Sequence, residues 1–183
     1  FMDAKSKDGH SVLLHSTAHL MAQAVKRLFP KTKVTIGPFL ENRFYYDFDV
    51  NSPFTEDDLL EIENEMMKIS EENLEISHKV KSRNEALAFF EKIDESYKVE
   101  IINDLDKDEI LKVYSQGEFT DLCRGPHVHS TGQIKHFKIL SSSAAYWRGD
   151  EKNQTLQRVY GTSFQNSKDC LLYTSPSPRD GQI

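Results

Sequence analysis

Between Ser11 and Phe29 apolar residues return at Leu14, Ala18, Met21, Val25 and Leu28, the spacing of one helical face, and Pro30 ends the run. KVTIGPF (33–39) and RFYYDFDV (43–50) are β-rich and predict a hairpin around Glu41-Asn42. Thr55, with Asp58 three residues on, predicts the cap of a second helix that carries Leu59, Ile62, Met66 and Ile69 on one side. LEISHKV (74–80) reads as a strand and RNEALAFFEKI (83–93) as a short helix. After a loop rich in Asp and Lys come ILKVYSQ and EFTDLC, split by Gly117 and expected antiparallel. FKILSSSAAYW and TLQRVYGTSF supply two further strands. Helices and strands do not alternate as βαβ units, so the expectation is an α+β fold, an antiparallel sheet with packed helices.

Composition narrows the class. The chain has 183 residues, 38% hydrophobic and 28% charged, which suits one globular domain. No apolar run is long enough to cross a bilayer, so no membrane partner is expected. The net charge of −6 argues against a non-specific nucleic-acid coat but leaves room for a local basic cleft. Cys123 and Cys170 are expected as free thiols, since a chain of this size needs no staple. Phe1 precedes Met2, and CLLYTSPSPRDGQI (170–183) loses apolar periodicity. The division expected is a stub over 1–10, the folded domain over 11–169 and a non-native tail over 170–183.

Two constellations carry chemistry. HSTAH places His15 and His19 one turn apart on one side of the first helix. DLCRGPH gathers Asp121, Cys123 and His127 around a turn fixed by Gly125 and Pro126. Three imidazoles, a thiol and a carboxylate suit zinc, which takes tetrahedral N/S ligands, or equally a metal-free set of proton-transfer groups. Each signal alone has an ordinary explanation. A histidine pair on a helix is usually exposed or satisfied, Cys123 alone is a small buried apolar residue, and Gly-Pro is a turn. The aromatic run Phe44, Tyr45, Tyr46 and Phe48 reads as a strand, and Arg148 with Asp150 as a surface ion pair. HSTAH also lacks the glutamate of the HExxH metalloproteases.

In combination and order, HSTAH, IGPFLENRFYYDFD, ESYKVEII, DLCRGPH, HFKILSSSAAYWRGD and LQRVYGTSF closely resemble the editing domain of threonyl-tRNA synthetases, over residues 11 to 164. The HxxxH and CxxxH pattern is shared with alanyl-tRNA synthetase editing domains. Those usually read Cys-x-Gly-Thr-His, where this chain has Cys123-Arg124-Gly125-Pro126-His127. The threonyl resemblance implies hydrolysis of serine mischarged onto tRNA(Thr), and its need is physical. One missing methyl gives a synthetic site only about 1–3 kcal/mol of discrimination, so a second sieve must remove serine.

The resemblance also implies roles. His15, His19, Cys123 and His127 would form the pocket wall, with His15 preferred for orienting or deprotonating water. Asp121 would hold the substrate ammonium or fix a histidine tautomer, and with His15 would face a solvent-filled cleft. Lys98 would stabilise charge at the ester or bind the terminal adenosine. Tyr46 would offer a pocket hydroxyl, and Lys98, Arg124 or Arg148 would lie near phosphates. No cofactor is expected. The threonyl type implies a metal-free reaction, whereas the alanyl type implies zinc on His15, His19, Cys123 and His127. The partners implied are the serine-charged acceptor end of tRNA(Thr) and the aminoacylation domain of a cytoplasmic or organellar, homodimeric, ATP-dependent ligase, which this chain lacks. The rival readings are a zinc-dependent alanyl-type editing domain, a zinc-stabilised structural domain and a non-catalytic tRNA-binding appendage.

Overall fold

A computed structural model describes residues 7–175. Its elements are α1 (Lys7–Leu28), β1 (Lys33–Val34), β2 (Phe39–Leu40), β3 (Arg43–Asp49), α2 (Glu56–Glu72), β4 (Ile76–Lys81), α3 (Arg83–Lys92), α4 (Ser96–Asp104), β5 (Leu111–Gln116), β6 (Phe119–Leu122), β7 (His136–Tyr146), β8 (Thr155–Phe164) and α5 (Ser167–Thr174). All strand pairs are antiparallel. The larger sheet runs β1-β3-β8-β7, with β2 also on β3, and the smaller runs β4-β5-β6. The expected α+β class is the one observed.

The main core joins α1 and α2 to the large sheet, through Leu14, Ala18 and Met21, Ile62 and Met66, and Phe44, Phe48 and Val159. A second core packs Ala86, Phe90 and Ile102 of α3 and α4 on Leu111 and Val113 of β5. Thr55 caps α2 in the expected box with Asp58. Asn42, in the turn between β2 and β3, takes a positive φ of 60°, a conformation asparagine tolerates.

Four expectations are corrected. The apolar stripe of α1 is buried as read from Leu14 to Val25, with Leu28 partly buried, but so are Leu13, Ser16, Thr17, His19, Leu20 and Gln23. The helix is therefore central rather than amphipathic, and its polar side chains are interior groups that need partners. It also begins at Lys7, so the stub boundary at residue 10 falls inside it, with His10 stacked on Phe164. KVTIGPF is not one strand. It breaks at Thr35–Pro38 into β1 and β2, with Gly37 so close over Tyr46 that an added Cβ would lie 2.2 Å from the ring. ESYKVEII forms a helix, α4, in a stretch expected to be loop. Its β-branched Val99, Ile101 and Ile102 are weak helix formers, and no side chain caps it, so the local signal is faint.

The proposed tail boundary at residue 170 also falls inside an element. Asn166 caps α5, Cys170 is buried and Tyr173 meets the ring of Phe164. Both cysteines are free. The rest of the expected tail, 176–183, lies outside the described residues, as does 1–6 of the stub. Among the described residues no helix is long and apolar enough to cross a membrane.

Candidate active site

Four elements deliver the site. Central α1 brings His15 and His19, and β6 with its following loop brings Asp121, Cys123 and His127. The missed helix α4 brings Lys98, and β3 brings Tyr46. The imidazole rings of His15, His19 and His127 stand 4.4–5.1 Å apart, centroid to centroid. One nitrogen from each and the Cys123 Sγ all lie within 4.8 Å of one another. Cys123 Sγ is 3.2 Å from His127 Nε2, 3.5 Å from His15 Nε2, and accepts the Gly125 N–H at 3.2 Å. Gly125 has φ 69°, and a Cβ there would strike the Tyr114 hydroxyl, so this turn requires glycine.

Behind the histidines lies a buried ion pair. Lys98 Nζ is 2.6 Å from Asp121 Oδ1, with both side chains under 4% exposed. The Tyr46 hydroxyl donates to Asp121 Oδ2 at 2.8 Å and the Leu122 N–H to Oδ1 at 2.8 Å, while His19 Nδ1 lies 3.6 Å from Oδ2. Lys98 also donates to the Thr35 carbonyl. A cleft of about 410 Å³ opens over this floor, lined by His15, His19, Lys98, Asp121 and Cys123 and walled by Ile36, Phe39, Ile101, Leu105 and Ile110.

Residues 111–160 match the family described as "Threonyl and Alanyl tRNA synthetase second additional domain". Sequence similarity to threonine–tRNA ligases extends over most of the chain. Identity is 53% over 169 residues with that of Teredinibacter turnerae and 56% over 169 residues with that of Pelobacter propionicus, each covering 92% of this chain. It is 57% over 162 residues with that of Anoxybacillus flavithermus. Residues 111–160 thus resemble that second additional domain, and the sequence around them is similar to threonine–tRNA ligases. The chain spans about a quarter of the length of these relatives, 26%, 26% and 25% respectively.

Within the cleft, burial sets the protonation states. His15 is pushed below the usual histidine range mainly by burial, with Asp121 pulling the other way and Lys98 adding to the fall. His19 falls well below it through burial, then His15 and Lys98, and His127 through burial, then its two histidine neighbours. Burial pushes the Cys123 thiol up to about 11. Three neutral imidazoles and a protonated thiol therefore face neutral solution, a poor setting for a thiolate nucleophile.

Not every sequence-derived residue stands where it was expected. Asp121 is 1% exposed and its carboxylate is already engaged by Lys98 and Tyr46, so it does not stand free in solvent for a substrate ammonium. Tyr46 is fully buried and works on Asp121, and His127 sits behind the cleft lining. Lys98 is on the floor, too deep for a phosphate backbone. Arg124 is exposed at the mouth, paired with Glu109 at 2.5 Å. Arg148 is not brought to the cleft. Its guanidinium reaches Asp104 and Glu100 of α4 rather than Asp150, because the YWRGD turn folds against the end of that helix, with Trp147 packing on Tyr97. Ser16 and Thr35 were not singled out from sequence. Only the burial of α1 on all sides makes a partner for Ser16 necessary.

Proposed function

We propose that this cleft hydrolyses the ester of mischarged seryl-tRNA(Thr). The observation that carries the reading is the convergence of neutral His15 with the Lys98–Asp121 pair at the floor of a cleft whose outer wall is apolar. Water attacks the ester carbonyl carbon, and His15 takes its proton as general base. Lys98 faces the negative charge that develops on the carbonyl oxygen, in a water-poor site where such a contact is strong. The bond from carbonyl carbon to ribose oxygen then breaks. The proton passes from His15 to that oxygen, so serine and free tRNA leave and no ATP is consumed. Asp121 holds the Lys98 ammonium in place, with Tyr46 behind it. Threonine carries the same ester, ammonium and hydroxyl, so exclusion of its methyl from a rigid floor is the sieve. Overpacking a stiff site costs more than leaving a cavity unfilled.

We read the chemistry as metal-free. His15, His19, Cys123 and His127 are the residues that would hold a zinc ion, which when bound would activate water and polarise the carbonyl. The buried Lys98 ammonium on the same floor already supplies positive charge and opposes a dication beside it. In a longer protein of the kind the relatives represent, this domain would serve a cytoplasmic, homodimeric threonine–tRNA ligase and receive the acceptor end from its aminoacylation domain. Arg124 at the mouth would contact a phosphate of that end. Incubation of the purified chain with seryl-tRNA(Thr) is expected to release serine, with far less than one zinc per chain by elemental analysis. No release overturns the function. Near-stoichiometric zinc, lost together with activity on chelation, overturns the metal-free reading.

A further inference from the structure

We propose that Ser16 is a positioning residue that sets the direction of every proton in the His127–Cys123–His15 chain. The inference rests on the hydrolase reading above and specifies how its base is oriented. Ser16 is fully buried on α1. Its Oγ accepts the Val128 N–H at 3.0 Å and lies 2.9 Å from His127 Nδ1. Among the described residues no other acceptor stands within reach of its single hydroxyl proton, and a buried hydroxyl left unpaired is costly. The Ser16 O–H therefore donates to Nδ1.

The remaining directions follow in turn. A neutral imidazole that accepts at Nδ1 carries its proton at Nε2, so His127 Nε2–H donates to Cys123 Sγ at 3.2 Å. Sγ also accepts the Gly125 N–H, so its own proton points at His15 Nε2, 3.5 Å away. His15 is thus held with its lone pair on Nε2 and its proton on Nδ1. The S–H···N contact is long and weak, and a water delivered at the ester displaces it. Cys123 acts as a relay between two histidines rather than as a nucleophile. The same direction disfavours a cation. Coordination at His127 Nε2 would move the ring proton to Nδ1, turn the Ser16 oxygen into an acceptor twice over and orphan its hydroxyl proton.

Side-chain 15N spectra of the whole chain, labelled at histidine, test this without tRNA, and seryl-tRNA(Thr) turnover tests its consequence. The wild type should hold the His127 proton on Nε2. Ser16→Ala should lose that single tautomer and lower kcat roughly 10–100-fold with KM little changed, the range typical for removing an outer-shell partner. Ser16→Thr, which keeps the hydroxyl, should restore both, and thermal melts of the two variants separate this from unfolding. A wild-type His127 protonated on Nδ1, or a Ser16→Ala chain with unchanged tautomer and kcat, overturns the proposal. The stated tautomer in a wild type inactive on seryl-tRNA(Thr) instead overturns the hydrolase reading and leaves the proton assignment standing.

Discussion

The floor and the rim of the cleft are built on opposite principles. On the floor, Lys98, Asp121, Tyr46 and His19 are each less than 5% exposed; Lys98 and Tyr46 hold Asp121 through short polar contacts, and His19 lies 3.6 Å from it. At the rim, Ile36 and Phe39 are each 44% exposed and Ile110 69%, apolar surface turned to solvent beside Arg124. A buried polar network is stable only when every member is satisfied, so the floor is rigid and sensitive to any deletion. The rim has no such obligation and is free to serve a larger, partly apolar substrate portion. Under the proposed function, discrimination would belong to the floor and capture to the rim.

The strongest break of that contrast is Asp121→Ala. It strands the Lys98 ammonium and the Tyr46 hydroxyl in the interior, which should cost about 3–5 kcal/mol of stability as well as abolishing serine release. A carboxylate facing a solvent-filled cleft, as the resemblance implied for Asp121, would instead be removable without loss of the fold. Urea unfolding measures it, and Lys98→Met combined with Asp121→Leu should recover much of the lost stability, because an apolar pair needs no counter-charge.

His15→Ala sharpens the comparison from the other side. His15 is partly exposed at the cleft and its one hydrogen-bonding contact, to Cys123, is weak, so melting should change modestly while serine release falls roughly 10²–10⁴-fold, the usual worth of a general base. The pH dependence has a definite sign. His15, His19 and His127 all titrate below 6.5 in the folded chain, so at neutral pH both states are uncharged there. As pH falls below 6.5 the unfolded chain takes up protons that the native one refuses. Stability should then drop by about 1.4 kcal/mol per pH unit for each histidine, until the native groups protonate in turn. Activity should persist at pH 6.5 and fall only below it, as His15 itself takes a proton. Denaturation midpoints and rates across pH 4.5–7.5 (roughly the histidine range) check both limbs.

What was legible in the sequence follows the same division. The internal arrangements of HSTAH and DLCRGPH were legible because helical spacing and a Gly-Pro turn are local facts, whereas the meeting of these two distant segments was implied only by the family resemblance. The α1 stripe, the Thr55 box and the β5–β6 pairing were equally local. The environment of Lys98 was not legible. It depends on α4 docking against Thr35 and on Asp121 arriving from β6, both long-range events. Ser16 was invisible for a similar reason, since one apolar stripe does not announce that the polar side of a helix is buried too. Arg148 shows the converse. A short motif placed it beside Asp150, whereas tertiary packing gave it Asp104.

The smallest effect is therefore expected from Arg148→Ala. Its partners are exposed carboxylates outside the cleft, so stability should move by less than about 1 kcal/mol and serine release by less than twofold. A large fall in release would return Arg148 to the substrate path.

The central claim is that the floor sorts two esters by one methyl group. The direct measurement is a paired time course of the wild-type chain with seryl-tRNA(Thr) and threonyl-tRNA(Thr) at equal concentration. Rapid loss of the serine ester with the threonine ester largely preserved is the result expected. Equal hydrolysis of the two esters would contradict the sieve.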